Sequence, residues 1–337
     1  MLRRIECSGT PLEMGRQYGE QAQKEIQHNL ALWHVAERLA RVPGFAESAD
    51  TGLRRHAPAI RQELQGIADG ANVPYGQILL CNHYDPGGAS VGCTPMALAE
   101  SADGPIAAKN NDAPPGERFQ FIVHLSRPAE GIPVLQVTYA GWLSGLDACN
   151  AEGVATVHGS VGSVFERTGP RVDIRPWSFH ALRQSRNTSE LLMELNAAPL
   201  TGKGFNVIVT DRAGDTAVLE AAVPVLAVRG RGEQFVYATN HFHTEHLLTA
   251  DRRTPQGKRI STARYEYLEW VAQTAPPTSA NDLKHLLSAH EPWSPCRHAG
   301  AHVSSTLWSM IALPATGELL VSDGPPCQAP YDRHTVS

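Results

Sequence analysis

From Cys93 to Phe242 the chain is built of short runs that alternate apolar and polar residues, separated by turn-forming pairs. "RFQFIVHLS", "IPVLQVTYA" and "GVATVHGSV" each carry the two-residue period of a half-buried strand. Asp103-Gly104 and Gly214-Asp215 fall between such runs and read as hairpin turns. Hairpins pair strands antiparallel. Helical patterns flank this block, over residues 11–42 and 53–70 before it, 176–185 and 188–197 within it, and 258–273 and 279–289 after it. "SSTLWSMIALPATGELLVSDG" closes the chain as a last hairpin. This order predicts an α+β fold with helices covering antiparallel sheets. No internal repeat or low-complexity linker divides residues 1–337, so a single domain is expected.

The first helix has Thr10 as N-cap and Pro11 at the first helical position. Gly15 and Gly19 lie four apart, which leaves one face small enough for another backbone to approach. Apolar residues are 42% of the chain and charged residues 19%, the balance of a globular protein with a good core. The net charge of −5 offers no basic surplus, so no nucleic-acid partner is expected. "MLRRIECSGTPLEMG" lacks the apolar core of a secretory signal, and no run reaches 18 apolar residues. A cytoplasmic protein with no membrane contact is expected. The six cysteines are scattered without a C-x-x-C pair, which suits buried thiols better than a disulfide framework.

Cys93 stands apart from the other five. "YDPGGASVG", a run of small and turn-forming residues, ends at Gly92, and a strand begins at once with "CTPMAL". A packing cysteine would sit better inside the strand. If Asp103-Gly104 is a two-residue turn, Pro95 faces Asp112 and Cys93 faces Pro114. Asp112 then returns close to Cys93, in the polar cluster that runs from Lys109 to Asp112.

"VGCTPMAL" followed by "GPIAAKNND" resembles the Gly-Cys-Thr and Asn-x-Asp signature of the acyl-coenzyme A:isopenicillin-N (6-aminopenicillanate) acyltransferase-like family. These are N-terminal-nucleophile (Ntn) hydrolases. "GTPLEMGRQYGE", "ELQGIADGANVPYGQILLCN", "CNAEGVAT", "FNVIVTDRAGDTAVLEA", "YATNHF" and "SDGPPC" are similar to further blocks of the family in the same order. The resemblance implies a four-layer αββα sandwich of two antiparallel sheets between helical layers. It also implies an inactive precursor that cuts itself between Gly92 and Cys93. Residues 1–92 and 93–337 would then stay together as a heterodimer. Gly92 has no side chain to shield its carbonyl, and the small residues 86–92 let the backbone bend. The freed α-amino group, with a reference pKa of about 8, can take the thiol proton, so Cys93 carries nucleophile and base together.

By the same resemblance Asp112 orients the Cys93 amine and thiol, and the side-chain amide of Asn240 helps to form the oxyanion hole. Thr94, Asn111, Trp142, His241 and Phe242 are expected to line the substrate pocket. Asn111 departs from the family, where the middle residue of the Asn-x-Asp motif is often aromatic. "AHVSSTLWSM" lacks the functional arginine of the relatives near the last hairpin, and Arg297 is the nearest candidate. The implied substrate is a small amide or N-acyl compound, with an acyl-coenzyme A thioester as a conceivable donor, and the reading needs neither cofactor nor metal. A homo-oligomer is compatible with it.

Three rivals compete. "HFHTEH" brings His241, His243 and His246 together, with His241 and His243 on one strand face, as in a metal-dependent hydrolase. A thiol hydrolase with a separate histidine base would leave the chain uncut. An uncleaved homologue could serve as a binding protein. No Gly-x-Gly-x-x-Gly or P-loop pattern supports a nucleotide cofactor.

Overall fold

The computed structural model describes residues 2–83, 92–113, 120–162, 170–290, 295–298 and 304–337. The expected flexible run 86–92 therefore lies, apart from Gly92, outside the described residues. The chain begins with strand β1 (Arg3–Gly9), which the sequence pattern does not announce. The helical stretch expected over 11–42 is three helices, α1 (Pro11–Gln21), α2 (Gln23–Leu32) and α3 (Val35–Ala40). Thr10 and Glu13 form a reciprocal capping box that starts α1. His34, with φ at 51°, breaks the run before α3. Two helices, α4 (Phe45–His56) and α5 (Pro58–Ala71), replace the one expected over 53–70, because Pro58 starts a new helix and cannot continue an old one. Helix α6 (Tyr75–His83) follows.

Strands β2 (Cys93–Leu98) and β3 (Ile106–Ala113) come next, then β4 (Phe121–Pro128), β5 (Val134–Tyr139), β6 (Ala148–Asn150) and β7 (Val154–Val161). The short strand β8 (Val172–Asp173) leads into helices α7 (Ile174–Leu182) and α8 (Thr188–Leu195), and β9 (Leu200–Thr201) pairs back with β8. Then come β10 (Gly204–Asp211), β11 (Thr216–Ala222), β12 (Val225–Arg229) and β13 (Phe235–Tyr237), and a 3₁₀ turn over Glu245–Ala250. Helices α9 (Pro255–Thr274) and α10 (Ala280–Leu287) precede β14 (Ser305–Leu313), β15 (Glu318–Ser322) and β16 (Tyr331–Thr335).

These strands form two main sheets. One has eight strands in the order β1-β4-β5-β6-β7-β10-β11-β12, and the other six in the order β13-β2-β3-β14-β15-β16. All pairings in both are antiparallel except that of β1 with β4, which is parallel. Side-chain alternation sorts the six-stranded sheet into two faces. Met96, Leu98, Ile106, Ala108 and Ile311 pack with Leu268 of α9 and Leu283 and Leu287 of α10. Ala97, Ala107, Trp308, Met310 and Ala312 join the main core with the eight-stranded sheet. Beyond that sheet, α1 crosses α5 where Gly15 and Gly19 meet Gly66 and Gly70. A Cβ on Gly15 or Gly19 would collide with the backbone carbonyl of Glu63 or Ile67. The expected four layers are thus present: helices, sheet, sheet, helices.

One expectation fails in detail. Cys93 lies opposite Asn111, and Leu98 opposite Ile106. The pairing is three residues away from the one that a two-residue Asp103-Gly104 turn would impose. The connection between β2 and β3 is longer because it is held against α10. The Ala102 amide donates to the Thr278 carbonyl, and Oδ2 of Asp103 accepts from the Ala280 amide. In "EQFVYATNHF", residues 233–242, only Phe235–Tyr237 pairs with β2.

Candidate active site

Strand β2 begins on a polar seam at one end of the six-stranded sheet. Cys93 is buried, and its Sγ lies 3.8 Å from Oδ1 of Asn111, its cross-strand partner. The corrected register puts Asp112 one step further out, level with Gly92. A Cβ placed on Gly92 would stand 2.8 Å from Nη1 of Arg297, 3.1 Å from Oδ2 of Asp112 and 3.4 Å from Nη2 of Arg264. Only a residue without a side chain passes through this gap undisturbed.

The backbone of Cys93 is gripped at both of its polar groups. Its N–H donates to Oδ1 of Asn240 at 3.1 Å, and its carbonyl accepts from Nη1 of Arg264 at 2.6 Å. The same Nη1 donates to Oγ1 of Thr94 at 2.9 Å, and Nη2 donates to Oδ1 of Asn240 at 2.7 Å. Arg264 therefore binds three components of the seam from the buried face of α9. The Asn240 NH2 group is occupied by the Ser160 carbonyl at 2.9 Å, and its backbone amide donates to Oγ of Ser261. In the continuous chain Asn240 thus presents its oxygen, not its NH2, to Cys93.

Asp112 is fully buried. Its Oδ1 accepts from Oγ1 of Thr306 at 2.7 Å, while Oδ2 has no hydrogen-bond partner among the described residues. Burial pushes its carboxyl up to about 6, against the opposing pull of Arg297, Arg264, the Thr306 bond and Lys109. Arg297 is fixed by paired contacts with Thr306: its amide donates to Oγ1, and its carbonyl accepts from the Thr306 amide. Nη1 of Arg297 donates to Oγ of Ser304.

A second charged group lies on the inner face. Nζ of Lys109, wholly buried, sits 3.4 Å from Oδ1 of Asn111 and 3.0 Å from Oδ2 of Asp147. Oδ1 of Asp147 lies 3.0 Å from Nδ1 of His158. Burial raises the Asp147 carboxyl, but His158 and Lys109 outweigh it and hold the group below the usual carboxylate range. Lys109 also stands over the Trp308 ring at 5.0 Å. Lys109, the charge that follows the apolar run Ile106–Ala108 in a strand pattern, is the sequence signal for this cluster. Nothing comparable marks Arg264, which is one of several arginines on exposed-looking helices.

The remaining expected residues are dispersed. Trp142 packs with Tyr139 and Trp33 at ring-centroid distances of 4.6 and 5.4 Å, under the Arg175 guanidinium and on the helical side of the eight-stranded sheet. Phe242 is buried with Val161, Ala222, Leu247 and Ala250. His241 accepts from or donates to Oγ of Ser261 through Nδ1 at 2.8 Å, one bond removed from Asn240. His241 and His243 do share a face, with ring centroids 4.4 Å apart, and burial pushes them down to about 3 and about 4. His246 is exposed on the 3₁₀ turn. These three imidazoles do not converge into a metal-binding group among the described residues.

Comparison with known proteins adds a family match and several distant folds. The sequence profile of the family described as acyl-coenzyme A:6-aminopenicillanic acid acyl-transferase matches residues 99–324. No curated protein matches the chain in sequence. Among solved structures, a mutant of the conjugated bile acid hydrolase from Clostridium perfringens aligns at 10% identity and a TM-score of 0.43, covering 73% of this chain and 97% of that one. Penicillin V acylase from Agrobacterium tumefaciens aligns at 13% identity and a TM-score of 0.42, over 68% of this chain and 83% of that one. The Caenorhabditis elegans ortholog of N-acylethanolamine-hydrolyzing acid amidase aligns at 13% identity and a TM-score of 0.46, over 66% and 93%.

Proposed function

The chain belongs to the acyl-coenzyme A:6-aminopenicillanic acid acyl-transferase family, and we propose that it is a self-activating cysteine enzyme that cleaves or transfers acyl groups at linear amide bonds. The observation that carries this reading is the Gly92–Cys93 peptide. A glycine lodged between a carboxylate and two guanidiniums precedes a buried strand-end cysteine whose own amide and carbonyl are both held.

In activation, Sγ of Cys93 attacks the Gly92 carbonyl carbon, the C–N bond breaks, and a thioester replaces the amide. Water then hydrolyses the thioester, leaving Gly92 as a carboxylate and Cys93 with a free amine. The amine that takes the place of the amide N–H remains beside Oδ1 of Asn240 and can accept the thiol proton in each later cycle. A substrate amide is attacked in the same way: its amine departs with that proton, its acyl group passes to Sγ, and water or a second amine removes it. Asp112 and Arg297, which flank the Gly92 backbone, hold this end of the strand in place. Asn240 is suited to the oxyanion role once its NH2 leaves the Ser160 carbonyl. Thr94 acts through Arg264.

Residues 1–92 and 93–337 stay paired after the cut in this proposal. The parallel β1–β4 ladder supports it, since β1 belongs to the first fragment and β4 to the second. Among the described residues, no helix is long and apolar enough to cross a membrane. All six cysteines are free, which suits the reducing cytoplasm.

Intact-mass analysis of purified protein tests the reading. Two fragments, with Cys93 at the second N-terminus, are expected, and Cys93→Ala should remain one chain. A fully active wild type that stays uncut sinks the mechanism. Quenching the thioester with hydroxylamine against water, and identifying the acyl product, separates transfer from hydrolysis.

A further inference from the structure

Two thiols and two imidazoles meet at the opposite flank of Arg297. They are His290, just past α10, Cys296 and His298 on either side of Arg297, and Cys327 in the turn between β15 and β16. Their ligand atoms all lie within 4.8 Å of one another. Nε2 of His298 is 3.0 Å from Nε2 of His290, 3.8 Å from Sγ of Cys296 and 3.3 Å from Sγ of Cys327. The two sulfurs are 3.5 Å apart.

An imidazole Nε2 carries one hydrogen or one lone pair, so it cannot satisfy three such neighbours by hydrogen bonding. The sulfurs are also well beyond the bond length of about 2.05 Å of a disulfide. A shared cation accounts for the whole arrangement. Zinc bonds of about 2.3 Å to sulfur and about 2.0–2.1 Å to nitrogen, placed at tetrahedral angles, make edges of about 3.8 Å between sulfurs, about 3.6 Å between sulfur and nitrogen, and about 3.3 Å between nitrogens. The four separations given above follow these to within a few tenths of an ångström, and the pairs of His290 with the two sulfurs lie within 4.8 Å. Two soft thiolates with two imidazoles in a tetrahedron select zinc over the hard cations.

We propose that His290, Cys296, His298 and Cys327 form a structural zinc site. Four protein ligands close the coordination sphere and leave no place for a reacting water. On binding, both thiols give up their protons to solvent, and the zinc joins the segment after α10 to the last hairpin. It fixes the backbone on both sides of Arg297 and so holds the guanidinium that stands against Gly92. The site is independent of the self-cleavage reading, because none of its four ligands takes part in that chemistry.

The test is direct metal binding to the full-length protein. Chelator-treated wild type is titrated with zinc, and with cobalt as a spectroscopic probe. The expected result is one zinc per chain, a raised thermal midpoint, and the thiolate charge-transfer and intense visible bands of tetrahedral cobalt. Cys327→Ser and His290→Ala, both at exposed positions, should each weaken zinc binding by at least about 100-fold and remove the zinc-dependent thermal shift. Wild type that takes up no stoichiometric zinc overturns the proposal. So does a metal-free wild type whose mass is two hydrogens low through a Cys296–Cys327 disulfide and which then binds no zinc after reduction.

Discussion

Among the buried carboxylates that meet arginine in this molecule, Glu63 and Asp112 are treated in opposite ways. Glu63 of α5 receives both ends of the Arg183 guanidinium, at 2.6 and 2.9 Å, and Arg183 also donates to Ser126. Both Glu63 oxygens are engaged, in a bidentate geometry that fixes direction as well as distance. Asp112 has two guanidiniums nearby, yet only one of its oxygens is hydrogen-bonded, and burial lifts it to about 6. The first pair joins the part of the chain before Gly92 to the part after it. The second lies against the peptide that joins them. A saturated carboxylate holds structure. One left half-satisfied keeps a proton in play near neutrality, which suits a site that must rearrange.

The contrast can be broken from either side. Cys93→Ala has the largest expected effect, a loss of activity on the order of 10⁴-fold or more, with the chain uncut and the thermal midpoint close to wild type. Gel mobility and turnover report both halves of that outcome. Arg183→Met strands Glu63 as an unpaired buried charge and should cost about 3–5 kcal/mol of stability in denaturant unfolding. If it leaves stability unchanged but stops cleavage, the two carboxylates do not divide the work in this way. Asn240→Ala should lower kcat by about 10²–10³-fold with a smaller effect on KM, and a near-normal kcat removes Asn240 from the oxyanion hole.

Asp112→Asn gives the smallest and most diagnostic change. The wild-type cleavage rate should fall as pH drops through about 6, where Asp112 takes up its proton, and the variant should lose that acid limb. Stability runs the other way. The folded value lies above the ordinary 3.8, so the folded chain holds this proton more tightly. Its stabilising contribution is full at low pH and declines as pH rises from about 4 to about 6. Urea midpoints across that range should be flatter in the variant.

Much of this was legible in the sequence. The strand period located β4, β5, β7, β10 and β11, and the block order around Cys93 pointed to four layers and to the family. The alternation could not reveal β1, whose partner is more than a hundred residues away. Nor could it fix the β2–β3 register, because Asp103 is drawn into a tertiary contact with α10 in place of a tight turn. The site divides along the same line. Cys93, Asp112 and Asn240 were marked by local motifs and do meet at one seam. Arg264 reaches that seam from a helix with no local cue, and Trp142 is packed among Trp33 and Tyr139 where the sequence suggested a pocket wall.

The parallel pairing of β1 with β4 changes how this protein can be lost. In the uncut chain, the first strand returns to its place by an intramolecular search, at an effective concentration set by the connecting chain. Once the Gly92–Cys93 bond is gone, the same ladder becomes a contact between two separate molecules. Reassembly after denaturation would then depend on protein concentration, and dilute solutions would leave the fragments apart. Active enzyme would persist through slow unfolding more than through an ability to refold.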